Sequence, residues 1–351
     1  MRAAVFLLLL SGMGAWSAPP WAAQANPPAP SGGGELPPPP PLGLDDIPVP
    51  PDNPMTREKV ELGRLLFFEK RISADGTVAC ATCHMPARGF SNARQYGVGV
   101  EGKLGIRNVP TVLNAAYYSS QFWDGRAKSL EEQAKGPILN PAEMASSEER
   151  VVKILGAIPA YGEAFRRAFG DPVISLDRAA KAIATFERTL VSGSSPFDRW
   201  KFGGEEAAIS ADAKRGFDLF KSKAQCVKCH LVDEFSAPFT DNKFHNIGIG
   251  MDKQKPELGR AEITKDRKDR GKFKTPSLRE VTRTAPYMHD GRFNTLEEVL
   301  DFYDKGGHPN PSLDPDIFPL KLTQKEKKDL LAFLRTLEGN APQVAEPEAP
   351  R

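Results

Sequence analysis

The sequence predicts an all-α protein built from two copies of one helical module. Three observations carry that prediction. The motif C-x-x-C-H occurs twice, as Cys80-Ala-Thr-Cys83-His84 and as Cys226-Val-Lys-Cys229-His230. A second stretch is also repeated: "QFWDGRAKSLEEQAKGP" at 121–137 aligns position for position with "YMHDGRFNTLEEVLDFY" at 287–303. Finally, helix-period apolar patterns with capping residues recur along the chain, and no stretch shows sustained period-two alternation. A unit of helix, C-x-x-C-H turn, loop and distal helix, used twice, accounts for all three.

Taken in order, the chain opens on Arg2 and the apolar run "AAVFLLLL", with the small residues "AAQA" at 22–25. This is the pattern of a secretory signal peptide, residues 1–25, cleaved after Ala25; a retained anchor ranks below it. The apolar run is too short to span a bilayer and no other stretch qualifies, so the mature protein is expected in the periplasm. Residues 26–51, "NPPAPSGGGELPPPPPLGLDDIPVPP", read as an extended, largely disordered linker.

The first module, 52–204, starts on the helical segment "VELGRLLFFEK". Within it "SSEERVVKIL" opens with a capping box from Ser146 to Glu149. "LDRAAKAIATFERTLVSG" sets Ile183, Phe186 and Leu190 on one face and is expected to stop at Gly193. A hinge is placed near "KFGGEEA" at 201–207. The second module, 205–340, starts on "AKRGFDLFKS" and closes on "LTQKEKKDLLAFLRTLEG", boxed by Thr323 and Glu326 and stopped by Gly339. Residues 341–351 form a tail.

At 351 residues the chain is long enough for two cores, and its formal charge of +2 gives no support to a nucleic-acid partner. The one basic run, "KDRKDRGKFK" at 265–274, alternates with Asp and reads as a solvated loop.

All four cysteines lie in the two C-x-x-C-H motifs, which leaves none for a disulfide. C-x-x-C-H is the attachment signature of c-type haem: two thiols join the porphyrin, and the adjoining His reaches the iron. A zinc site would need the cysteine pairs to converge on one centre, and motifs this far apart suit separate modules better. Two covalent haems are expected, on Cys80, Cys83 and His84 and on Cys226, Cys229 and His230.

With these motifs, "RNVPTVLNAAYYSSQFWDGRAKSLEEQAKGPILNPAEM" and "TPSLREVTRTAPYMHDGRFNTLEEV", the chain resembles the bacterial di-haem cytochrome c peroxidase family, which includes MauG. The resemblance covers roughly residues 52–340. It implies two cytochrome c-like domains with a calcium ion between them. It also implies that the His84 haem reacts with peroxide and the His230 haem transfers electrons. By position, Trp123 matches the tryptophan between the haems, and Gln133 and Glu143 match the polar residues of the peroxide pocket. Asn108, Thr284 and Pro286 match the calcium site, the last two through backbone carbonyls, an oxygen set suited to that ion.

The resemblance also bears on the sixth iron ligand. Ordinary peroxidases of the family place a methionine over the second haem; here Tyr303 stands at that position, as in MauG. A phenolate lowers the potential of ferric haem, whereas methionine raises it. Met288 and Met251 are the rival candidates. Many family members also carry a histidine between the first haem motif and "RNVPT" that blocks the peroxide-reacting iron. Residues 85–107 hold no histidine, and Val100 stands at the expected place. The first haem is thus expected to be open without prior reduction. His245, His289 and His308 read as loop or hydrogen-bonding residues, with His289 at the repeat position of Trp123.

Three functions follow. The first is a periplasmic peroxidase that reduces hydrogen peroxide at the open haem, with Glu143 shuttling the proton and a small cytochrome c or cupredoxin as electron donor. The second is a MauG-like enzyme that uses peroxide to oxidise side chains of a partner protein. The third, ranked last, is a non-catalytic di-haem electron carrier; the retained Glu143 and the missing histidine argue against it. A homodimer and a monomer are equally compatible with the sequence.

Overall fold

Apolar residues at helical spacing, mostly opened by hydroxyl caps, form the helices that build the interior. The computed structural model describes residues 36–351; the signal-peptide reading lies outside the described residues, as does the linker before residue 36. The helices are α1 (Arg57–Phe67), α2 (Cys80–Cys83), α3 (Leu130–Leu139), α4 (Glu148–Gly156), α5 (Pro159–Phe169), α6 (Leu176–Glu187), α7 (Pro196–Lys201), α8 (Ala211–Lys221), α9 (Ala261–Thr264), α10 (Leu296–Asp304) and α11 (Gln324–Arg335). Two-residue strands β1 (Phe244–His245) and β2 (Phe273–Lys274) pair antiparallel. The fold is therefore helix-rich with one minimal sheet.

Two large apolar clusters, with a small third of Ala115, Leu130 and Ala184, form the interior of the described residues. One gathers Leu62, Phe67, Ile138, Phe165 and Ile183, and the other Phe197, Phe217, Phe220, Leu330 and Phe333. Each is centred on a crossing of two helices, α1 on α6 and α8 on α11. The crossing residue is glycine both times. A Cβ on Gly63 would stand 1.9 Å from the Ala182 carbonyl oxygen, and one on Gly216 would stand 1.9 Å from that of Asp329. Backbones this close leave no room for a methyl group. Gly216→Ala is accordingly expected to lower stability by about 1–3 kcal/mol, the usual cost of overpacking. The denaturant midpoint reads this out, and an unchanged midpoint would show that the crossing relaxes.

The duplication is visible down to single hydrogen bonds. Gln121 N–H donates to Ala127 O at 2.8 Å, and Tyr287 N–H to Phe293 O at 2.7 Å. Phe122 and Met288 both take positive φ, +67° and +72°. Ser129 caps α3 through Glu132 N–H and Thr295 caps α10 through Glu298 N–H. Glu132 and Glu298 each accept from the backbone four residues earlier, at 2.7 Å. The repeated sequence is thus a turn that aims a helix.

Several boundaries differ from the sequence expectation. Helix α4 is capped by Ser147, not Ser146, whose hydroxyl donates instead to Ile72 O at 2.5 Å. Helix α6 ends at Glu187, short of Gly193, although Leu190 is still buried. Helix α11 likewise ends at Arg335, before Gly339. Residues 41–51 have no helix or strand, yet they are packed: Leu44 and Ile47 are buried, and Gly43 O accepts from Arg279 and from Ala237 N–H. Pro-rich chain can pack when neighbours supply the donors it lacks. Ala341, in the tail, is buried in the first cluster.

Candidate haem and peroxide site

Each C-x-x-C-H turn presents a histidine in one defined orientation. His84 Nδ1 pairs with Phe90 O at 3.2 Å and His230 Nδ1 with Phe239 O at 2.8 Å. With Nδ1 engaged in that bond, Nε2 is the nitrogen of each ring that a metal could take. Burial lowers the pKa of both, favouring the neutral imidazole that binds metal. The four cysteines form no disulfide, and burial raises the pKa of Cys80, Cys83 and Cys226. Both motifs thus fit a haem: two unpaired thiols beside one oriented, neutral imidazole.

Around the second motif lies a cavity walled by Cys226, Cys229 and His230 and, from α10, by Tyr303. Met288 shares this wall, whereas Met251 does not. Burial, and then the nearby Cys226 and Cys229, raise the Tyr303 pKa. The hydroxyls of Tyr96, Tyr117, Tyr118, Tyr161 and Tyr287 are all hydrogen-bonded. Among the described residues, Tyr303 is the one of six tyrosines whose hydroxyl has no such partner. Tyr303 is half-buried and lines the cavity, so its unpaired hydroxyl is open to a group bound there. An iron held in the cavity would reverse the local electrostatics by stabilising the phenolate.

The equivalent position in the first repeat is Pro137, inside α3. Gln133 lies one turn before Pro137 on the same face of that helix and is half-buried. After α3 the chain turns at Asn140, whose side-chain amide donates to Glu143 Oε1 at 2.6 Å. Burial raises the Glu143 pKa, against lowering by Asn140 and Arg126. Its charge bears on both Cys80 and Cys83, which places it beside the first motif. The 97–105 hairpin encloses it: Val100 N–H donates to Glu143 O at 2.8 Å, and a Cβ on Gly99 would stand 2.0 Å from Ala142 O. Val100 is buried in the first core.

Trp123 lies on the wall of the second cavity. Its indole N–H donates to Asn108 O at 2.9 Å, and its ring meets its repeat counterpart His289 edge to face at 6.4 Å. Asn108, Thr284 and Pro286 line the same cavity. Asn108 directs its amide group to the carbonyls of Arg94 and Gln95, both at 3.3 Å. His245, held between Asp241 at 2.8 Å and Asp314 at 2.7 Å, has its pKa raised to about 11, chiefly by Asp241. His308 lies near Arg292, at 3.2 Å. All three remaining histidines thus serve as hydrogen-bonding or packing groups.

A helix-rich fold with two such turns defines a two-haem redox protein. Residues 57–207 match the family described as di-haem cytochrome c peroxidase. The chain is 46% identical to methylamine utilization protein MauG of Methylorubrum extorquens, over 85% of this chain and 83% of the relative. It is 36% identical to cytochrome c551 peroxidase of Nitrosomonas europaea, over 85% of each. A crystal structure of a MauG-like protein associated with microbial copper homeostasis superposes with a TM-score of 0.77 at 34% identity, over 95% of this chain and 99% of the other. The chain belongs to the di-haem cytochrome c peroxidase family, haem-dependent oxidoreductases acting on peroxide.

Proposed function

We propose that this is an exported, periplasmic di-haem oxidoreductase that reduces hydrogen peroxide at a first haem and passes electrons through a second. The first would be attached at Cys80 and Cys83 and ligated by His84. The second would be attached at Cys226 and Cys229 and held between His230 and Tyr303. The observation that carries this reading is the unlike pair at the matched ends of the repeat. Tyr303 brings an unpartnered hydroxyl to a haem cavity, and Pro137 has no group able to bind iron.

Bound haem supplies the redox chemistry and, where its sixth position is free, a place for peroxide. Glu143 takes a proton from one peroxide oxygen and returns it to the departing one. Its burial raises its proton affinity, which suits a group that must gain and lose a proton in each turnover. Asn140 fixes its carboxylate, and Gln133 orients peroxide by hydrogen bonding. Trp123, between the two halves, carries oxidising equivalents from one to the other. Asn108 Oδ1 and the carbonyls of Thr284 and Pro286 would hold a calcium ion at this junction. Among the described residues no helix is long and apolar enough to cross a membrane.

Stoichiometric peroxide added to the fully oxidised protein tests the reading. A rapid spectral change without added reductant is expected; no reaction before partial reduction would overturn the open first haem. A second reading, oxidation of side chains on a partner protein, is favoured by Tyr303 and by the identity to MauG. Fast turnover with a reduced small cytochrome or cupredoxin supports the first reading. Slow turnover, with a persistent oxidised state discharged by a protein partner, supports the second.

A further inference from the structure

Lys274 ends the basic run read from sequence as a solvated loop. Lys265 to Lys268 are indeed exposed, but Lys274 is 7% exposed. Strand β2 carries it inward: its N–H donates to Trp123 O at 2.8 Å. Its ammonium donates to Ser120 O at 2.7 Å and lies 3.5 Å from the centre of the Tyr118 ring. Lys274, Tyr118 and Trp123 line the same cavity as Cys226, Cys229 and His230.

The other cationic groups on that wall have partners: Lys228 pairs with Asp316 at 2.6 Å and His245 with Asp241 and Asp314. Burial lowers the pKa of His289, which lies 3.3 Å from Glu257. Lys274 has no carboxylate within reach among the described residues. Burial alone acts on its proton and lowers the pKa to about 7. A buried cation without a counter-ion is retained only where something compensates it. A carbonyl and an aromatic face do so in part. Haem brings the missing charge, because the porphyrin carries two propionate carboxylates as well as the two vinyl positions that join cysteines.

We propose that Lys274 is the counter-ion of a propionate of the haem held by Cys226, Cys229 and His230. This rests on the attachment proposed above. The pair ties that haem to the 118–123 loop, which ends at Trp123. It also removes a negative charge that would otherwise stabilise ferric iron, and so raises the haem's potential.

The test uses the mature protein with Lys274→Met and Lys274→Arg. Haem content and holoprotein mass are read first; missing haem at Cys226 and Cys229 in the wild type would overturn the attachment and leave nothing for Lys274 to pair with. The readouts are the midpoint potential of the haem whose spectrum responds to Tyr303→Phe, and its propionate bending mode by resonance Raman. Lys274→Met is expected to lower the potential and displace the mode, and Lys274→Arg to restore the potential. A Lys274→Met protein with both haems, wild-type potential and unmoved mode would overturn the proposal and leave Lys274 a brace for Ser120. If Lys274→Met does not mature, Lys274→Arg alone is decisive. A shifted mode at near-wild-type potential supports the pairing, and an unshifted mode overturns it.

Discussion

With Tyr303 as the proposed iron ligand, Tyr303→Phe is expected to convert the spectrum of the second haem from that of a six-coordinate ferric centre to that of one lacking its distal ligand. The substitution removes one oxygen and keeps the ring. Because the hydroxyl makes no hydrogen bond among the described residues, no protein partner is orphaned and thermal stability should barely move. That separates the ligand role from packing: a packing tyrosine would leave the spectrum unchanged. Tyr303→Met should instead keep six ligands and raise the potential, since thioether ligation favours ferrous iron. Reaction of the fully oxidised protein with peroxide should then weaken, as the second haem becomes a poorer sink for oxidising equivalents. An unaltered spectrum in Tyr303→Phe would return the position to Met288, which shares the cavity wall.

Glu143→Gln is expected to lower peroxide turnover by about 10²–10⁴-fold, the span typical of losing a positioned acid–base group. The amide keeps the shape of the carboxyl, so binding of peroxide or of small iron ligands should persist. The pH profile gives the mechanism-specific readout. In the proposed role Glu143 would begin each turnover as a carboxylate, and burial raises its pKa above the ordinary glutamate value. Activity should therefore fall on acidification through this raised pKa, at higher pH than for an exposed glutamate. The glutamine variant should lose that limb. Retention of the limb with full activity would assign proton transfer to another group.

Much of this architecture was legible in the chain. The two C-x-x-C-H motifs and the repeated D-G-R…L-E-E stretch announce the duplication, and the box at Thr323 marks a helix start correctly. Hydroxyl caps depend on three or four consecutive residues and are legible to within a position: the box expected at Ser146 is a cap at Ser147. Helix ends were read less well. Leu190 continues the apolar pattern of α6 beyond its last helical residue, because burial outlasts the helical backbone there. The Pro-rich segment misled for a related reason. Its composition opposes regular structure, but Arg279 and Ala237 supply donors from far along the chain.

The sequence by itself determined the number of haem motifs, the helical class, the missing histidine in 85–107 and the Tyr303 and Pro137 asymmetry. These are properties of residue identity and short spacing, which no packing can alter. Tertiary structure alone decided that Tyr303 would bring its hydroxyl unpaired to the cavity of the second motif. It also closed the 97–105 hairpin over Glu143 and turned Lys274 from a residue of a solvated loop into a buried lysine with no carboxylate partner among the described residues. Each of these depends on desolvation by groups distant in the chain. Charge and hydrogen-bonding capacity are written in the sequence, but the water that would satisfy them is removed only when the two halves fold together.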